Sequence, residues 1–476
     1  MADRWLTLED ADWDLERGVF KILIDQRPAG IAIPKSAGDV SDVVRAAAAD
    51  GKRVAAQRTG HLAAPLGSLT DTVLLRTAGL GGVQINRDAG TARVGAGTLW
   101  GELVPQASEL GLAALHGSSP AVGITGYTLG GGVSFYSRKH GLACNRVIAF
   151  DVVNADGEQI RVDADNEPDL FWALRGGGGS FGVVTAIEFN LLPIREIFAG
   201  ALFFPAEEAG DVLHGWLEWT RGLPEEMTST GRFMNFPPIP DIPEPFRGKS
   251  FAVVEVIYCG KPADGEALVA PLRELGNVAM DTLAPQPPIG IAELHMDPPA
   301  PVPYWADSLL VGDLPDAAID SVLEAVGPNS GSQLLVAELR HCGGALSRPA
   351  RDAGALSSLP GAFLAFGVGV VPMPEAMAPT RAWLGAFKSS LAPYDAGRYL
   401  NFSEERFELT QAFRPDTVDR LRPSRSATTP ATFSTQTTRS QARSHRVRHT
   451  GARHICTAAQ LRPSKRLVTE PSSKTS

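Results

Sequence analysis

Cysteine is scarce in this chain: four residues in 476 (Cys144, Cys259, Cys342 and Cys456), none in a Cys-x-x-Cys pair. That excludes a small disulfide-framed domain and speaks against a structural zinc, and free thiols in a reducing compartment are the expectation. No apolar run approaches the ~20 residues of a membrane-spanning helix. The N-terminus, Met1-Ala2-Asp3-Arg4-Trp5, carries acids and no apolar stretch, unlike a secretory leader. Positive charge is short as well: the formal net charge of −9 disfavours wholesale nucleic-acid binding. What remains is a globular chain, expected in the cytoplasm, with neither nucleic acid nor membrane as partner. Its length suits two or three packed domains.

Glycine is plentiful and clustered. Residues 31–56 read as strand, helix, strand, with Asp39 as N-cap of a helix over 40–50 and Gly51 ending it. Residues 71–99 alternate short strands with turns, and residues 99–110 read as a helix closed by Gly111. Residues 117–132 read as loop. A hairpin covers 147–162, a short helix 168–174 and a strand 181–192. From 200 to 395 strands (251–258, 333–339, 363–371) mix with helices (207–221, 264–275, 315–325, 376–391), an α+β pattern that suggests a second domain. From Pro423 the chain changes. The last 54 residues hold 10 Lys/Arg against one acid (+9), whereas the first 422 hold 34 against 52 (−18). With 19 Ser/Thr and one aromatic, the 423–476 tail is expected to be disordered.

Arg58-Thr59-Gly60-His61 follows a strand-like stretch and opens a loop. A histidine at the lip of such a loop has little structural reason to be there, although alone it reads equally as a loop residue meeting a carbonyl. Loops 57–62 and 117–132 are rich in Gly, Ser and Thr, and their successive N–H groups suit a diphosphate. Gly177-Gly178-Gly179-Ser180-Phe181-Gly182 matches G-x-G-x-x-G, but a helix precedes it and a strand follows. That order is the reverse of a dinucleotide fingerprint, so a Rossmann reading is rejected. The glycines here serve close backbone approach.

In order, these segments resemble the FAD-linked oxidases with the vanillyl-alcohol-oxidase (PCMH-type) fold, in the berberine-bridge-enzyme-like branch. The resemblance rests on residues 27–36, on Arg58-Thr59-Gly60-His61, on the second loop at 120–132, on the 168–185 block and on Tyr399-Leu400-Asn401-Phe402, and covers about residues 25–422. It implies an α+β fold: an FAD-binding domain over 1–195, an inserted substrate domain over 196–395 (antiparallel sheet flanked by helices), and a return segment of the FAD domain over 396–422. FAD would be held by Gln57, Arg58, Thr59, Gly60, Leu62, Gly117, Ser118, Ser119, Gly123, Thr125, Gly126, Gly132, Val183, Val184 and Asn401. His61 matches the histidine that bonds the flavin 8α carbon, a reaction that suits a neutral imidazole nucleophile.

Three departures matter. Where doubly attached members carry a cysteine, this chain has Ser119, so one bond, through His61 only, is expected; Cys144 reads as a packed thiol. Phe402 stands where a second tyrosine is frequent. Past Arg422 the family's ending is missing, yet residues 423–440, back-translated and read one nucleotide earlier, give Ala-Val-Lys-Glu-Arg-Tyr-Asp-Pro-Gly-Asp-Val-Leu-His-Ala-Asn-His-Pro-Ile, an ending similar to the family's. A frameshift near codon 422 is therefore expected. The resemblance implies an oxidase that moves hydride from a small-molecule alcohol or amine to flavin, with O2 as acceptor and H2O2 as product. A dehydrogenase slow with O2, and an inactive flavin binder, stay open. Tyr399 and Tyr258 are the candidate bases, with Glu255 and His295 behind them; Glu255 reads more readily as a sheet-surface carboxylate.

Overall fold

A computed structural model describes residues 5–240 and 242–428. Three sheets organise it. β1 (Gly30–Ala32), β2 (Arg53–Gln57) and β3 (Thr72–Arg76) form a small parallel sheet in the order β1-β3-β2. A helix over Ala37–Ala49 connects β1 to β2 and buries Val40, Val44 and Ala47 against Val54 and Val73. Its N-cap is Ser36 rather than Asp39. Asp39 is the third helical residue and completes a capping box, its carboxylate accepting from the Ser36 N–H.

β4 (Val83–Asn86), β5 (Thr91–Gly95), β6 (Val147–Val153), β7 (Gln159–Asp163) and β8 (Val183–Asn190) form an antiparallel sheet in the order β4-β5-β8-β6-β7. A helix over Trp100–Glu109 and another over Pro168–Leu174 match the sequence reading closely. The stretch 117–132 does not, because it contains a helix over Ile124–Leu129. Its glycines hid the turn of buried Ile124, Thr128 and Leu129 that holds it.

The third sheet has nine antiparallel strands: β9 (Ile197–Pro205), β10 (Met227–Asn235), β11 (Ser250–Tyr258), β12 (Met280–Asp281), β13 (Ala284–Gln286), β14 (Tyr304–Val311), β15 (Val336–His341), β16 (Phe363–Val370) and β17 (Asp395–Gly397). The path runs β12-β9-β11-β10-β15-β16-β14-β17, with β13 also on β9. Helices over Ala209–Thr220, Asp316–Val326 and Met377–Leu391 cover one face with Val212, Trp216, Ile319, Val322, Leu384 and Phe387. The other face meets the first half of the chain: Ile257 packs with Phe135 and Tyr136, and Leu310 and Leu364 belong to one core with Leu129 and Val133. β9, β10 and β14 were not read from the sequence. β9 is a continuous apolar run buried on both faces, which lacks alternation. β10 is rich in Ser, Thr and Gly, and it is nonetheless a central strand.

β17 completes this sheet's edge, so residues 396 and 397, drawn outside the inserted domain from the sequence, belong to the same sheet as residues 197–370. A closing helix, Pro415–Thr428, runs past the limit drawn at 422, so residues 423–428 of the tail are helical. The remainder of the tail expectation, 429–476, lies outside the described residues.

Candidate functional site

The first loop leaves β2 at Gln57, whose buried amide donates to Gln26 Oε1 (3.1 Å). Arg58 Nε donates to the Gly97 carbonyl (2.6 Å), and the Arg58 stem lies against Gly123 of the second loop. The two loops therefore touch. Gly60 has φ +74°, and a Cβ there would meet Val19 at 2.6 Å, so only glycine fits without strain. Thr59 Oγ1 shares a hydrogen bond with His61 Nδ1 (2.8 Å), while Phe20 stacks on the imidazole with ring centroids 3.8 Å apart. Burial pushes the His61 pKa down to about 4, so the ring is neutral at physiological pH. Its Nε2 is buried without a hydrogen-bond partner. Leu62 beside it is half-buried.

In the second loop the Gly117 carbonyl bonds His116 Nδ1 (2.7 Å), Ser118 Oγ donates to Asp297 (2.5 Å), and Ser119 Oγ accepts from the Ala121 N–H (3.3 Å). Gly123 precedes the helix over Ile124–Leu129. Thr125 Oγ1 is buried without a partner, and Gly126 has open space where a Cβ would stand. The Gly178 N–H donates to Leu129 O (2.9 Å) at this helix's end, which brings the glycine run 176–182 alongside. Gly178 too faces open space, whereas Gly182 is crowded by Val152; Val183 and Val184 then enter β8, both buried.

Residues 399–401 close onto this loop. The Tyr399 hydroxyl accepts from the N–H groups of Gly132 (2.9 Å) and Val133 (3.0 Å), and Asn401 Nδ2 donates to it (3.0 Å) and to Tyr127 O (2.8 Å). Burial raises the Tyr399 pKa against the pull of those donors. A candidate base is thereby placed as a clasp between two segments. The second candidate fares worse. Strand alternation puts Tyr258 on the helix-covered face with Phe198, one residue after Ile257, which faces the other way. Tyr258 lies away from the loops.

Glu255 corrects the surface reading, for it is fully buried. It pairs with Arg232 and accepts from His295 Nδ1 (2.8 Å). Glu338 lies 3.0 Å from Arg340, 3.2 Å from His295 and 3.4 Å from Arg232. Burial and the Arg232 charge oppose a proton on His295, but Glu255, Glu338 and Asp297 together push its pKa up to about 9. With Nε2 also meeting Arg340 Nη2 (3.2 Å), neither nitrogen is free for base work. Arg232, Glu338 and Arg340 were missed in the sequence. Their signal was charge at alternate positions of an apolar strand, Glu338 and Arg340 in β15. Cys144 is a packed thiol as expected, its pKa pushed up to about 12 by burial.

An open cleft of about 590 Å³ lined by Lys35, Gly81, Arg93, Asp151 and Arg161 contains none of the predicted site residues. Among the described residues there is no cluster of metal-binding side chains, and no helix is long and apolar enough to cross a membrane.

Residues 28–163, which carry both loops, match the FAD binding domain family. The chain is 39% identical over 178 residues to (R)-6-hydroxynicotine oxidase of Paenarthrobacter nicotinovorans, covering 37% of this chain and 38% of that one. It is 35% identical over 193 residues to glucooligosaccharide oxidase of Sarocladium strictum, covering 40% and 38%. These alignments span under two-fifths of the curated relatives' lengths. In fold, berberine bridge enzyme from Eschscholzia californica superposes with TM-score 0.77 at 20% identity over 91% of this chain and 95% of that one. An Acremonium strictum glucooligosaccharide oxidase gives 0.76 at 22%, over 91% and 96%.

The residues present suit FAD. The histidine nitrogen and Thr125 hydroxyl are orphaned and buried, and Gln57 Oε1 is as well. Gly126 and Gly178 leave open space beside them.

Proposed function

From the premise that this chain carries an FAD-binding domain within the PCMH-type fold of berberine bridge enzyme, we propose that it is an FAD-dependent oxidase acting on a small-molecule alcohol or amine. Bound FAD supplies the two-electron chemistry, accepting hydride from substrate carbon and handing electrons to O2 to give H2O2. The chain's residues do the rest. Backbone and hydroxyl groups of 57–62 and 117–126 hold the diphosphate. His61, neutral and locked between Thr59 and Phe20, is the single point of covalent attachment, because Ser119 is no comparable nucleophile near neutral pH. Tyr399 and Asn401 position the second loop rather than move a proton.

The observation that carries this reading is the orphaned His61 Nε2 in a loop bonded to the second loop's support. The test is acid precipitation of the purified protein. Yellow flavin should stay in the pellet, and in His61→Ala it should be lost from it. Catalase-sensitive peroxide should appear on turnover. Wild-type flavin in the supernatant would overturn the covalent assignment, and no flavin in either fraction would overturn the whole reading.

A further inference from the structure

The proposed function leaves the substrate's chemistry open, and the inference here deepens that reading and rests on it. The face of the nine-stranded sheet that meets the FAD-binding half carries Arg340, with Thr230 directly opposite it in register. The Arg340 guanidinium lies 5.0 Å from the Phe135 ring centre and 5.7 Å from that of Phe402, one ring from the stretch after the second loop and one from the return segment. It is almost fully buried. Its Nη2 is taken up by Glu338 and His295, but Nε is buried with no hydrogen-bond partner. Thr230 Oγ1 and the Tyr127 hydroxyl are likewise buried without partners, and Tyr127 lies within electrostatic reach of Arg340 and Tyr399.

These three unused groups, on Arg340, Thr230 and Tyr127, share one property. A guanidinium N–H and two hydroxyls all donate. The carboxylates nearby are already engaged: Glu255 by Arg232 and His295, Glu338 by Arg232, Arg340 and His295. Asp297 is engaged at the rim by Ser118. One carboxylate oxygen of this cluster, Glu338 Oε2, makes no hydrogen bond, but it is already ion-paired with His295 (3.2 Å) and Arg232 (3.4 Å), so the open donors on Arg340, Thr230 and Tyr127 call for an oxygen acceptor from a ligand, and a guanidinium N–H suits a carboxylate.

We propose that Arg340, with Thr230 and Tyr127, binds a carboxylate of the substrate, so that the alcohol or amine oxidised is itself an acid. Phe135 and Phe402 flank the site and favour a flat or apolar body next to that group. Arg340 is then a specificity-determining residue rather than a base.

The test titrates the full-length flavin-bound protein with benzoate and with benzamide, its neutral counterpart, and reads the flavin visible difference spectrum. Benzoate should bind at least ~10-fold more tightly, as a charge-assisted hydrogen bond from Arg340 to an anion, against one to a neutral amide, requires. Arg340→Gln should reduce benzoate to the benzamide level, and Thr230→Val should weaken it less, both with flavin retained. If Arg340→Gln does not fold, Arg340→Lys should keep part of the preference. Equal binding of the two probes overturns the inference, as does an unchanged preference in the Arg340 variant. So does an Arg340 variant that alters the flavin spectrum without ligand but leaves the preference intact, since Arg340 would then face the flavin. Protein without flavin overturns the oxidase reading and this inference together, whereas flavin bound without a benzoate preference overturns this inference alone.

Discussion

Phe20 lies nearly parallel to His61, 17° between planes and 3.8 Å between centroids, while Phe20 N–H donates to Thr59 O (2.7 Å). The N-terminal segment is thus a wall of the first loop, although no motif marks it. A ring clamped on its face by an apolar neighbour and at Nδ1 by a hydroxyl keeps one orientation and stays uncharged. Both properties favour alkylation of a ring nitrogen by an electrophilic carbon.

Phe20→Ala should therefore lower the fraction of flavin held covalently without abolishing FAD binding. Removing the stack frees the ring and admits water, which lets the His61 pKa rise toward its ordinary value. Acid precipitation after fixed incubation times with FAD would show a slower rise of pellet fluorescence. An unchanged rate would show that Phe20 is merely packing.

Tyr399→Phe should cost stability more than it costs chemistry. The hydroxyl is the acceptor for two backbone donors, from Gly132 and Val133, and for Asn401. Leaving buried donors unmade costs about 1–3 kcal/mol each. Melting by far-UV circular dichroism should show a Tm lower by several degrees, while turnover at a temperature well below melting keeps the greater part of its rate. Loss of turnover in a fully folded variant would instead restore Tyr399 as a base.

Gly130 and Asn401 should behave as a coupled pair. A Cβ on Gly130 would stand 1.8 Å from Asn401 Oδ1, an overlap neither rigid loop can absorb. Gly130→Ala should lose flavin and stability, and adding Asn401→Ala should recover part of both. Thermal melts of the two single variants and the double variant form the cycle, and strict additivity would refute the coupling.

How far this site was legible follows from where its information lies. His61, Ser119 and the glycines sit in short contiguous motifs whose spacing alone marks loops. Arg232, Glu255, His295, Glu338 and Arg340 come from four separate segments and meet only because antiparallel register aligns β11, β10 and β15. No local pattern encodes that alignment. Glu255 looked like a surface carboxylate because one strand shows which side chains alternate, not which face is covered. Tyr258 was misplaced for the same reason, one residue across the pleat.

Stability should depend on pH from both sides. Burial lowers His116 to about 4 and His341 to about 3, so between there and the unfolded value near 6.5 the unfolded chain binds more protons, and stability falls as pH falls. His295 runs the other way. Raised to about 9, its contribution is complete below about 6.5 and is lost as pH rises through 9. Melting temperatures from pH 4 to 10 should pass through a maximum near neutrality, and His295→Gln should flatten the alkaline limb while leaving the acid limb. An alkaline limb unchanged by that substitution would disprove the charged state assigned to His295.

Ser119 offers a gain-of-function test of the flavin's position. If the second loop runs past the flavin, as proposed, a thiol at 119 lies where a second bond can form, and what the hydroxyl gives up is the weak bond from Ala121 N–H (3.3 Å). Ser119→Cys alone should alter the visible spectrum of bound flavin. Combined with His61→Ala it should return flavin to the acid pellet, since a thiolate is a far better nucleophile than a hydroxyl. Cys144, Cys259, Cys342 and Cys456 are equally present in His61→Ala alone, so pellet flavin gained only in the double variant would come from position 119. A supernatant as yellow as that of His61→Ala alone would mean that Ser119 does not border the flavin, and that the single-bond assignment needs another basis.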